Sequence, residues 1–115
     1  MKEEWKWLIV TEEDIVNGLP DSCTNCPIAL AMGRELDKDD FLKDYRAHVG
    51  SNDMCLEHRT DDEHPISVEV FDEHQDIYMD FISEFDSTEN RPDTPKPHTI
   101  GFKYRIIRRE NEDNK

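Results

Sequence analysis

The chain has 115 residues, with 28 acids against 14 bases and a formal net charge of −14. That length suits one domain and excludes two ordinary ones. The charge argues against direct phosphate-backbone binding by the domain as a whole, since like charges repel, and no apolar run approaches the ~20 residues of a membrane span.

The elements follow in chain order. "WKWLIV" (Trp5 to Val10) is aromatic and β-branched and reads as a strand. Thr11 with Asp14 three residues on makes a capping box, Gly18 a helix stop, and a short helix from Glu12 to Asn17 lies between. Pro27 suits the first turn of a second helix. "PIALAMGREL" is apolar nearly all round, so that helix is largely buried, and "DKDD" ends it. Tyr45, Ala47 and Val49 alternate; "GSND" is a turn; "MCLEHR" returns as the hairpin partner. Ile66, Val68 and Val70 form another half-buried strand after the loop "DDEHP". "DEHQDIYMDFISEF" is helical, with Ile77, Tyr78, Phe81, Ile82 and Phe85 on one face. A loop with three prolines leads to a last strand, in which Ile100, Phe102, Tyr104 and Ile106 alternate. Lys103 and Arg105 fall on its other face.

The order β-α-α-β-β-β-α-β predicts an α+β fold. It is a single small domain over residues 1–109, a largely antiparallel sheet of four to five strands with two to three helices on one face. Residues 110–115 form a polar tail. The N-terminus "MKEEWKWLIV" lacks the plain apolar segment of a secretory signal. Three cysteines are an odd count that excludes a complete disulfide framework. Both features predict a cytoplasmic protein with no membrane partner. Nothing in the sequence sets an oligomeric state.

The segments "IVTEEDIVNG", "CPIALAM" and "FISEFD", followed by a closing strand, resemble a recurring pattern in small uncharacterised proteins of bacteriophages and prophages. That resemblance implies an accessory phage protein and no particular activity.

Cys23, Cys26, Cys55 and His58 spell C-x-x-C followed by C-x-x-H, a ligand set that zinc accepts. Against zinc, Cys55 and His58 lie on a strand, where residues three apart point to opposite faces. The alternative places Cys26 near the helix N-cap with Cys23 packed beneath it as a small apolar residue. A redox pair fits less well, because the proline follows the cysteine pair instead of lying inside it. No Ser-His-Asp set, phosphate loop or other catalytic constellation is present, so the chain is expected to be no enzyme and to need no cofactor other than that zinc.

Charge is polarised along the chain. Eleven acids and no Lys or Arg lie between Thr60 and Asn90; five bases and no acid lie between Lys96 and Arg109. On a helical wheel Glu73, Asp76, Asp80 and Glu84 form one stripe. Four residues at a rise of 1.5 Å set successive carboxylates about 6 Å apart along the axis, close to the phosphate spacing of one nucleic-acid strand. Asp61, Asp62, Glu63, Glu69 and Asp72 extend the field. Such a stripe is often only a solvated face, but here no base relieves the repulsion, and like charges at i,i+4 cost stability. The leading expectation is a non-enzymatic inhibitor or nucleic-acid mimic. It would present a phosphate-like surface to a basic groove on a host or defence protein that binds nucleic acid. The alternative is a module for an anionic nucleotide, held by Lys103, Arg105, Arg108 and Arg109, or for structural zinc.

Overall fold

The computed structural model of the chain describes residues 4–20, 22–51, 53–60, 65–88 and 97–107. The elements are β1 (Lys6–Val10), α1 (Glu12–Asn17), α2 (Pro27–Asp37), β2 (Tyr45–Val49), β3 (Met54–His58), β4 (Ile66–Val70), a single 3-10 turn (Asp72–His74), α3 (Gln75–Ser87) and β5 (Ile100–Ile107). The five strands form one sheet in the order β1-β5-β4-β3-β2, and every pairing is antiparallel. This is the α+β architecture that the element order predicts. Strands β2 to β4 run as a meander. The chain then returns through α3 to insert β5 between β4 and β1.

Period-two patterning separates the two faces of the sheet. Leu8 and Val10, Phe102, Tyr104 and Ile106, Val68 and Val70, Met54 and Leu56, and Tyr45, Ala47 and Val49 are buried on one face. Ile28, Ala31, Met32 and Leu36 of α2, with Tyr78, Phe81 and Phe85 of α3, fill the same core. Helix α2 packs against both edge strands, β1 and β2, so the sheet curls around it. Helix α3 packs on β5, where the rings of Tyr78 and Phe102 meet edge to face at 5.6 Å. The Tyr78 hydroxyl is shared between the carbonyls of Gly50 (2.8 Å) and Asp53 (2.9 Å), which ties α3 to the β2–β3 turn. Burial, then nearby acidic groups and thiols, pushes that phenol well above its ordinary pKa.

The helix ends follow their cap chemistry. The capping box at α1 is formed: Asp14 N–H donates to Thr11 Oγ1, and Thr11 N–H donates to Asp14 Oδ2. Helix α3 has no side-chain cap hydrogen bond at its start, and its first three predicted residues wind instead as the tighter 3-10 turn. Ile77 departs from expectation. It is 39% exposed, because it sits about 75° round the wheel from the centre of the buried set at 100° per residue.

Gly18 has ordinary extended backbone (φ −74°, ψ 156°), so space and not conformation accounts for it. A Cβ there would lie 2.6 Å from Pro27 Cδ, a ring held at the start of α2. Gly101 is similarly crowded, but its nearest contact is the tip of the exposed Ile9 side chain at 2.9 Å. Gly18→Ala is therefore expected to cost ~1–3 kcal/mol of stability by overpacking, and Gly101→Ala under about 1 kcal/mol. Paired urea titrations check the contrast, and equal losses would refute it.

Candidate acidic interaction surface

Asp72 and Glu73 on the 3-10 turn and Asp76, Asp80 and Glu84 on α3 are all exposed. They follow one another along a single stretch of chain, turned away from the core by Tyr78, Phe81 and Phe85. Among the described residues, none of the five makes an ion pair; the pairs present use Asp14, Glu35, Glu57 and Glu69 instead. Ile77 and Met79, each 39% exposed, lie beside the acids and add apolar area.

Of the other predicted acids, Glu69 does not join this line. Glu69 lies on β4 on the helix-free face of the sheet, where Arg105 Nε donates to its Oε1 at 2.7 Å. Alternation along the strand carries it to the side opposite α3. Asp61, Asp62 and Glu63 lie outside the described residues, as do Arg108 and Arg109.

The helix-free face carries features that the sequence pattern did not single out. Lys103 Nζ sits 5.5 Å from the Trp7 ring centre and 5.1 Å from that of Phe71. Arg105 lies 4.3 Å over Trp5. His74 Nδ1 accepts the backbone N–H of Lys103 at 3.0 Å. Trp7 and Ile9 are each 55% exposed. Lys103 and Arg105 do point away from the core, and aromatic rings and Glu69 engage them.

The four residues of the proposed zinc set do not come together. Cys26 is the N-cap of α2, buried, with Ala29 N–H donating to its Sγ at 3.4 Å. Burial pushes its thiol up despite that hydrogen bond, the opposite of a redox-activated cysteine. Cys23 is exposed and not packed beneath Cys26; it lines a cleft of about 150 Å³ with Pro27, Phe81 and Phe85. Strand β3 runs unbroken from Met54 to His58, so Cys55 and His58 face opposite ways. The His58 ring packs edge-on against Tyr45 at 5.0 Å. Among the described residues, the His, Cys and acidic side chains whose donor atoms do converge are His48, Cys55 and Glu57, all within 4.8 Å of one another.

No described helix is long and apolar enough to cross a membrane. No protein-family model matches the chain, and no curated protein or solved structure matches it either, so function is to be read from its own residues.

Proposed function

We propose that this chain is a non-enzymatic interaction protein whose α3 carboxylates occupy a basic groove on a nucleic-acid-binding protein. One observation carries this reading: five exposed carboxylates follow one another along the 3-10 turn and α3, with no neutralising base among the described residues. The line is held on a rigid helix, so its charges are presented at fixed spacing without an ordering cost at the moment of binding. Ile77 and Met79 supply apolar contact beside the charges, and methionine is enriched at such interfaces. Long-range attraction steers the encounter and makes it sensitive to salt. An inhibitor of host or defence factors is the role that suits the phage-like resemblance.

The test compares wild type with Asp76→Asn, Asp80→Asn, Glu84→Gln. The triple variant keeps side-chain shape and relieves i,i+4 repulsion, so its folding stability should hold or rise by a few tenths of a kcal/mol. A partner captured at low salt should bind it about tenfold or more weakly, with a flatter salt dependence. Duplex DNA should displace the partner from wild type. Equal binding by the triple variant across a salt titration, or no competition by DNA, would refute the proposal.

A further inference from the structure

We propose that His48, Cys55 and Glu57 form a binding site for a divalent zinc-type cation on the helix-free face of the β2–β3 hairpin. His48 and Cys55 are direct cross-strand partners in the register of that hairpin, and Glu57 is opposite Arg46. All three alternate with the buried residues Ala47, Val49, Met54 and Leu56, so their side chains emerge together on the face away from α2 and α3. The site therefore stands independently of the acidic surface on α3.

The donor atoms are within 4.8 Å of one another. Bonds of 2.0–2.3 Å in a tetrahedron set donor separations of about 3.3–3.8 Å, so rotamer shifts of about an ångström would close the set around an ion. Among the described residues, neither His48 nor Cys55 has a side-chain hydrogen bond or ion pair that binding would have to break. Glu57 has only a long contact, 3.9 Å to Arg46 Nε, between two side chains that are 38% and 55% exposed, which is worth little in water.

One nitrogen, one sulfur and one oxygen donor suit a borderline cation better than calcium or magnesium, which want oxygen alone. Histidine enters as the neutral imidazole, glutamate as carboxylate and cysteine as thiolate, its proton passing to solvent. The ligand set then carries two negative charges against the two positive charges of the ion. Three protein ligands leave a fourth position open for water or an outside donor.

Cobalt(II) reports such a site directly, because tetrahedral coordination gives intense visible bands and a bound thiolate adds a charge-transfer band in the near ultraviolet. Titrating the reduced full chain with cobalt(II) should produce both signals at one equivalent, and zinc should displace them. Cys55→Ser should abolish the charge-transfer band. His48→Ala should weaken binding by more than about a hundredfold, since losing even an outer-shell partner costs ten- to a hundredfold. The Cys23→Ser, Cys26→Ser double variant should bind as wild type does. The absence of a thiolate band in wild type would overturn the site, as would its survival in Cys55→Ser. Loss of binding in the double variant would overturn it in favour of the C-x-x-C pair. Should Cys55→Ser fail to fold, His48→Ala decides alone.

Discussion

Replacing Phe102 by alanine is expected to cost about 3–5 kcal/mol of folding stability, a large share of what holds a domain of this size. Phe102 is fully buried on β5, between β1 and β4, and its ring meets Tyr78 of α3 edge to face. The truncation loses the transfer free energy of the ring and leaves a cavity under α3. A hydrogen-bonded sheet cannot collapse easily into that space. Phe102→Leu keeps most of the volume and should cost under about 1.5 kcal/mol. Urea titration of the three proteins measures both differences. An alanine variant within about 1 kcal/mol of wild type would mean that α3 is not seated on this ring. The acidic surface would then lack the rigid support assigned to it.

The fold was legible because the local signals agree with one another. The alternation at Ile66, Val68 and Val70 and at Phe102, Tyr104 and Ile106 reports a half-buried sheet whichever strands pair. Thr11 and Asp14 predict the start of α1 from hydrogen-bonding chemistry alone, and Pro27 does the same for α2 from backbone geometry. Strand order is different in kind. The placement of β5 between β1 and β4 depends on non-local pairing, for which no short segment carries a signal. Ile77 shows the limit of a helical wheel, which gives an angle but not the width of the surface that covers it.

The candidate sites were legible only in part, for the same reason. The stripe at Asp76, Asp80 and Glu84 is local to one helix and so could be read from spacing. Glu69 counts as part of an acidic run in one dimension, yet strand alternation sends it through the sheet to Arg105. The cysteine pattern misled in a similar way. C-x-x-H is a ligand spacing on a turn, but on an unbroken strand it divides Cys55 from His58. The partner that Cys55 does meet, His48, lies across the hairpin, and only the register brings the two together.

Arg34→Met is expected to destabilise the fold more than Asp14→Asn, although both remove the same ion pair. The Asp14 side chain is 4% exposed and that of Arg34 is 45%. The guanidinium binds both carboxylate oxygens and also donates to the Ile9 carbonyl, joining α1, α2 and β1. Burial by itself pushes the Asp14 carboxyl up; the bonds from Arg34 and Thr11 outweigh it and hold the carboxyl below its ordinary value. In Asp14→Asn the freed Arg34 is rehydrated, so the loss should be about 1–2 kcal/mol. In Arg34→Met a buried carboxylate is left with only its Thr11 contacts, and the loss should approach about 3 kcal/mol. Both deficits should shrink in acid, but they should begin to do so at different pH. The lowered pKa of wild-type Asp14 means that its stabilisation is complete above the unfolded value near 4 and is lost as pH falls through the folded value. The gap between wild type and Asp14→Asn should therefore be constant near neutrality and narrow below about pH 4. In Arg34→Met the Arg34 bonds that lower the carboxyl pKa are gone while burial still raises it, so protonation relieves the variant and its deficit should begin to shrink at a higher pH than that of Asp14→Asn. Urea midpoints measured from pH 7 to pH 3 separate these curves. A larger loss for Asp14→Asn than for Arg34→Met, at neutral pH, would show that the pair is solvated and that Asp14 acts only through its capping-box bond to Thr11.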